Sequence, residues 1–113
     1  MNDRNQQGVT VLDNLHEDRF DVFVEDAYAG FLKYKDLSEA SAGQRIFYHT
    51  EVFDTFEGRG LAGILTRAAL ETSVREGHRI VAVCPYVKRW LSTHRDFDDA
   101  TDPVRPQHLQ ALG

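Results

Sequence analysis

Cysteine occurs once, at Cys84, and that scarcity excludes an internal disulfide and a cysteine-rich zinc site. A lone thiol also agrees with a reducing compartment. No apolar run is long enough to cross a bilayer and no segment resembles a signal peptide, so a cytoplasmic protein with no membrane partner is expected. Basic residues are outnumbered, 13 Lys and Arg against 18 Asp and Glu. The resulting net charge of -5 argues against nonspecific nucleic-acid binding and permits a cationic substrate. Of the five histidines, His16, His78 and His108 lack any spacing that makes a metal site, and no metal is expected. Repeats and low-complexity tracts are absent. What is there is 113 residues, 42% hydrophobic and 27% charged. That is enough for one domain with a proper core and too little for a two-lobed dinucleotide fold.

The order reads as strands first, then helices. Residues 1–8 are polar and expected to be frayed. Val9 to Leu12 and Arg19 to Val24 read as short strands, Glu25-Asp26-Ala27 as a tight turn, and Tyr28 to Tyr34 as a third strand. Residues 36–44 form a polar, small-residue loop. Arg45 to Phe53, rich in aromatic and β-branched residues, reads as a central strand. From Gly60 to Glu76 the period becomes helical: Leu61, Ile64, Leu65, Ala68, Ala69 and Thr72 form one stripe, and Gly77 is the natural C-cap. Ile80 to Cys84 reads as a strand buried on both faces, and Pro85 suits the first turn of a helix ending near Thr93. The segment after Asp102, residues 103–113, is expected to be a loosely held tail.

Strand 45–53, helix 60–76 and strand 80–84 then make a β-α-β unit with parallel strands. Between its first strand and its helix lies Glu57-Gly58-Arg59-Gly60-Leu61-Ala62. Without side chains at Gly58 and Gly60, main-chain N–H groups can approach a phosphate closely, and the helix start aims its unpaired amides at the same spot. Gly58, Gly60 and Gly63 satisfy the dinucleotide spacing G-x-G-x-x-G, but the next strand ends Val83-Cys84-Pro85 rather than in an acidic residue for a ribose. A P-loop is excluded because Gly60 is followed by Leu61-Ala62 in place of Lys and Ser or Thr.

The run Phe47-Tyr48-His49-Thr50-Glu51-Val52, then Phe56 to Ala62, then Cys84-Pro85-Tyr86-Val87 and His94, resembles the small stand-alone GNAT-type N-acetyltransferases, the YjdJ-like group, over roughly residues 9–98. In the wider superfamily the turn is Gln or Arg, two residues, Gly, one residue, then Gly or Ala. Gly60 and Ala62 match, while Glu57 departs at the first position. The resemblance implies a minimal GNAT-like α/β layered fold, its mixed sheet mostly antiparallel, occupying residues 9–102. It implies an acyltransferase that moves an acetyl group from acetyl-CoA to a primary amine of a small molecule or protein. A CoA-binding module without efficient transfer is the alternative. Pantetheine would pair with main chain from Thr50 to Val52, and pyrophosphate would sit on amides of Glu57, Gly58, Arg59, Gly60, Leu61 and Ala62. The adenosine 3′-phosphate would lie near Arg59, Lys88 or Arg89. The helices that build an acceptor pocket in this superfamily have almost no room between Leu12 and Arg19, so the acceptor side is open or very small. No interface signature is present, and a monomer or weak homodimer is expected.

The reacting groups are sought on strand 45–53. Period-two alternation puts Phe47, His49, Glu51 and Phe53 on one face, with an imidazole and a carboxylate beside the implied thioester. Either can take the proton that an ammonium must lose before it attacks. The plainer reading is a hydrogen-bonded sheet histidine and a solvated carboxylate. Cys84 precedes a helix start, a kind of position that favours thiolates, and as a nucleophile it would accept the acetyl group covalently. A lone Cys in an apolar strand is otherwise a small buried hydrophobe. Tyr86 is a candidate to protonate the departing CoA thiolate or to cap the cleft, and His94 reads more readily as a charge at a helix C-terminus.

Overall fold

The computed structural model describes residues 3–5, 8–37 and 43–113. Among the described residues, seven strands form one sheet in chain order: β1 (Asp3–Asn5), β2 (Val9–Asn14), β3 (Arg19–Val24), β4 (Ala27–Leu37), β5 (Gln44–Val52), β6 (Arg79–Ala82) and β7 (Thr101–Asp102). Pairing is antiparallel from β1 to β5 and parallel for β5-β6 and β6-β7. The helices are α1 (Leu61–Arg75), α2 (Pro85–Thr93) and α3 (Pro106–Ala111). The expected polar loop lies for residues 38–42 outside the described residues.

Helix α1 ends as the sequence suggests, one residue earlier. Glu76 is the C-cap and Gly77, at φ 92°, takes the left-handed position after it. The amide of His78 then donates to the Ser73 carbonyl, and that of Gly77 to the Val74 carbonyl, which closes the helix on glycine's conformational freedom. The buried arc of α1 takes in Leu61, Leu65, Ala68 and Ala69 from the apolar stripe and adds Thr66, Leu70 and Ser73. Burial of Thr66 is tolerated because its hydroxyl donates to the Ala62 carbonyl one turn back. Each fully buried Leu, such as Leu65 and Leu70, contributes about 1.5–3 kcal/mol against exposure.

Both chain ends depart from the sequence reading. Asp3–Asn5, in the segment expected to be frayed, pair with Val9–Val11. The segment after Asp102 is not loose: α3 brings His108 to complete burial. Its Nδ1 accepts from the Arg105 amide at 2.9 Å, and its Nε2–H donates to Gln44 Oε1 at 2.9 Å. Gln44 Nε2 in turn donates to Asp102 Oδ2 at 2.8 Å, which also fixes β7. Thr101–Asp102 form a two-residue strand that no periodicity could announce. Gln44 alternates with Arg45, whose side chain reaches Ser73 of α1, so α3 sits on the opposite face of the sheet from α1, at the Gln44 end of β5.

A charged network lies under α1. Arg45, only 4% exposed, donates to both Asp36 carboxylate oxygens at 2.7 and 2.9 Å and to Ser73 Oγ at 3.1 Å. Its guanidinium lies 4.0 Å from the Tyr34 ring centroid and 4.0 Å from Asp13 Oδ2. The Tyr34 hydroxyl donates to Asp13 Oδ1 at 2.7 Å. Burial raises the Asp13 carboxyl above the ordinary 3.8 despite that bond and the Arg45 charge. A carboxyl raised on folding binds protons more tightly in the folded state, so its contribution falls as pH climbs through and above 3.8. Asp13→Asn, which keeps an acceptor for Tyr34, is therefore expected to raise the melting temperature at pH 7 relative to wild type. The difference should shrink as pH falls toward 4, read by thermal melts across that range.

Candidate active site

The parallel pair is short, and where it stops a cleft begins. Residues Gln44–Phe47 pair with Arg79–Ala82, but β5 runs on to Val52 with no β6 partner. The amides of Val83 and Cys84 both turn back onto the Phe47 carbonyl, at 3.0 and 2.9 Å, and Pro85 starts α2. The β6 side of residues 48–52 is thus an unpaired strand edge, available to a ligand's amides. The expected strand 80–84 stops at Ala82 for this reason.

A β-bulge sets which side chains face which way. Lys33 pairs with His49 and Tyr34 with Phe47, so Tyr48 is the extra residue on β5. Period-two alternation therefore breaks at Tyr48. Arg45 and Phe47 face α1, and beyond the bulge Thr50 and Val52 take over that face, with Val52 packed on the core. His49, Glu51 and Phe53 face the other way, where Phe31 lies 5.8 Å from the His49 ring and 6.2 Å from Phe53. Phe47 consequently does not share a face with His49, a correction to simple alternation. His49 Nε2 and Glu51 Oε1 are 3.6 Å apart, with both side chains about half exposed.

Cys84 is 3% exposed, and its Sγ lies 3.2 Å from Thr50 Oγ1 across the diverging strands. Sequence reasoning missed this pairing, because the bulge decides that Thr50 rather than His49 faces Cys84. Tyr86 lines the cleft farther out, and burial raises its phenol above the ordinary 10, so it stays protonated at neutral pH.

The turn after β5 forms an open pocket of about 210 Å³, lined by Val52, Phe56, Glu57, Gly58, Gly60, Leu61, Ala62, Gly63 and Tyr86. Gly58 and Gly60 sit at φ 82° and 73°, in the left-handed region, and a Cβ on either would meet nothing within 4 Å. Gly60 caps α1 without a side-chain bond, leaving the first helical amides for a ligand. These features fit a pyrophosphate held by main chain. Arg59 lies over Phe56 at 5.6 Å and Arg89 over Tyr86 at 5.9 Å, so both border the pocket. Lys88 instead lines a separate hollow with Ala82, Leu91 and Thr101 to Val104. His94 is taken up structurally: its ring stacks on Trp90 at 3.9 Å, and its Nδ1 contacts the Trp90 carbonyl at 2.8 Å.

Residues 19–100 match the profile of the GCN5-related N-acetyltransferases. The chain belongs to that family. Its sheet, split between β5 and β6 beside a glycine turn, is this family's acyltransferase fold. Among curated relatives, the protein named NATD1 is 36% identical in Bos taurus and 35% in Homo sapiens, each over 72 residues covering 62% of this chain and 56% of the relative. The aligned stretch thus spans little more than half the length of those relatives. Two solved structures share the fold. An integron cassette protein from the mobile metagenome of V. cholerae superposes with a TM-score of 0.55 at 15% identity, covering 96% of this chain and 68% of its own. An aminoglycoside acetyltransferase from an uncultured soil metagenomic sample, solved with sisomicin, gives 0.54 at 18% identity, covering 89% and 64%. The minimal character of the fold has a local cause: β2 and β3 are joined by a four-residue turn, Leu15–Asp18, where an acceptor-covering helix pair has no room.

Proposed function

We propose that the protein is an acetyl-CoA-dependent N-acetyltransferase acting on a primary amine. The observation that carries this reading is the free β5 edge leading from the exposed His49–Glu51 pair to the glycine turn at the start of α1. Main chain from Thr50 to Val52 would hold pantetheine, the amides of residues 57–62 the pyrophosphate, and Arg59 or Arg89 the 3′-phosphate. Glu57 is exposed, so its carboxylate can turn away from the phosphates.

The co-substrate supplies an activated acyl carbon. His49, backed by Glu51, accepts the ammonium proton so that the amine can attack directly. The new N–C bond forms as the C–S bond breaks, and the electron pair leaves on sulfur. Tyr86, held protonated, supplies a proton to that thiolate, and the proton shed by the new amide nitrogen returns through solvent to restore the phenol. Cys84, enclosed against Thr50, serves as the wall of the cleft. The four-residue turn Leu15–Asp18, which leaves the acceptor side uncovered, favours a second reading: a CoA-binding module with little transfer.

A thermal melt with acetyl-CoA, and with ADP as control, tests the cofactor. At a hundredfold over the dissociation constant the ligand should add about 2.7 kcal/mol, a rise of roughly 10 °C for a domain of this size. Gly60→Val forces a β-branched residue to φ 73°, which costs about 1–2 kcal/mol on its own. It is expected to remove most of the ligand-induced rise as well. An unchanged rise in that variant, or none in the wild type, counts against the turn as the phosphate site. Thiol release over a panel of amines then separates transfer from mere binding.

A further inference from the structure

The sheet face opposite α1 carries a two-by-three grid across β3, β4 and β5. Cross-strand pairing aligns Arg19, Lys33 and His49 in one row, and Asp21, Phe31 and Glu51 in the next. The rows have different electrostatic states. Arg19 Nε is bound to Asp21 Oδ1 at 2.8 Å, and Asp21 also accepts from Asn14 and from the Tyr28 hydroxyl, so that carboxylate is fully engaged and 6% exposed. Glu51 shares its charge with His49 at 3.6 Å. Lys33 is flanked by two basic residues in its row, and no carboxylate among the described residues lies within ion-pairing distance of it. Its Nζ rests 5.7 Å from the Phe31 ring centroid, with the Arg19 guanidinium at 5.6 Å.

We infer that the acceptor is an amine that also carries a carboxylate, an amino-acid-like molecule with an apolar body. This rests on the reading of His49 and Glu51 as the proton-accepting end of the site. The amine sits at that pair, the apolar body lies on Phe31 and Phe53, and the carboxylate is held by Lys33. Lys33 lies one cross-strand step from His49, the scale of a small zwitterion. Polyamines and other polycations are disfavoured for two reasons. The Phe31 ring already faces two cations, which removes it as a cation–π site for a third. Lys33 and Arg19 also repel any second ammonium that reaches past Glu51. The short β2–β3 turn leaves this face open: His49 and Glu51 remain about half exposed.

The test compares three acceptors: L-phenylalanine, phenethylamine (the same body without the carboxylate) and spermidine. Thiol release from acetyl-CoA is measured for the wild type and Lys33→Glu, alongside acetyl-CoA melts for both. Backbone amide shifts at residues 31, 33 and 49 are followed during titration with L-phenylalanine alone, without acetyl-CoA. The expected result is a kcat/KM for L-phenylalanine roughly two- to fivefold above that for phenethylamine. Lys33→Glu should abolish or invert that preference while the acetyl-CoA melt shift stays as in wild type. Equal or faster turnover of phenethylamine or spermidine by the wild type overturns the acceptor class and leaves the transferase reading standing. So does a bound acetyl-CoA with neither turnover nor amide shifts for L-phenylalanine. If acetyl-CoA gives no melt shift at all, the transferase reading fails and the inference falls with it.

Discussion

Arg45→Ala is expected to cost about 3 kcal/mol in urea unfolding, more than any exposed substitution in this chain. The side chain is almost fully enclosed and makes three hydrogen bonds, two to Asp36 and one to Ser73. Truncation leaves Asp13, 17% exposed, beside a cavity with its nearest positive charge gone, and removes the cation resting 4.0 Å from the Tyr34 ring centroid. Asp36 is 45% exposed and recovers water, which keeps the cost at the lower end of the range for a broken buried pair. Arg45→Lys should recover only part, because an ammonium cannot reproduce the fork on both Asp36 oxygens. A double variant with Asp13→Asn should lose less than the sum of the single changes, since the two groups share one network. A loss under 1 kcal/mol for Arg45→Ala would mean that the network is solvated rather than buried. The consequence reaches the site: Arg45 sits two residues before Phe47, whose carbonyl takes both the Val83 and Cys84 amides and so fixes where the sheet divides.

Most of the architecture was legible because local signals agreed with one another. Helix α2 has the expected bounds, Pro85–Thr93, because Pro85 suits a helix start. The glycine turn lies where the sequence places it, between β5 and α1, with Gly58 and Gly60 at positive φ. What escaped the sequence depends on partners far along the chain. The bulge at Tyr48 has no composition of its own; it follows from how β4 and β5 are registered, and it moves Phe47 away from His49 while turning Thr50 toward Cys84. Strand β7 has two residues, fewer than any alternation needs. The burial of His108 requires Gln44 as a partner 64 positions away, so a polar tail with two prolines read as loose. Alternation is a sound guide within a regular strand, and it fails at the irregularity that opens this cleft.

His49→Ala is expected to lower kcat/KM for amine acetylation by about 100-fold, at the lower end of what a positioned general base contributes. The acetyl-CoA melt shift should be unchanged, because the imidazole faces away from α1 while Val52 and the glycine turn line the pocket on the other side. Glu51→Gln should cost less, since Glu51 acts through the imidazole at 3.6 Å and is itself half exposed. Added imidazole should restore part of the rate in His49→Ala, an effect that a purely structural histidine would not produce; the ring is open enough to solvent for a free imidazole to enter. Cys84→Ala is the decisive companion. Its thiol is enclosed and directed at Thr50 on the α1 side of β5, whereas His49 projects from the opposite side, so the two are poorly arranged to act as nucleophile and base on one amine. Direct transfer therefore predicts that Cys84→Ala keeps turnover within about tenfold of wild type, well short of the loss at His49. A collapse of turnover in Cys84→Ala with acetyl-CoA still bound, and with little effect at His49, would reverse the assignment and make the buried thiol the acyl carrier.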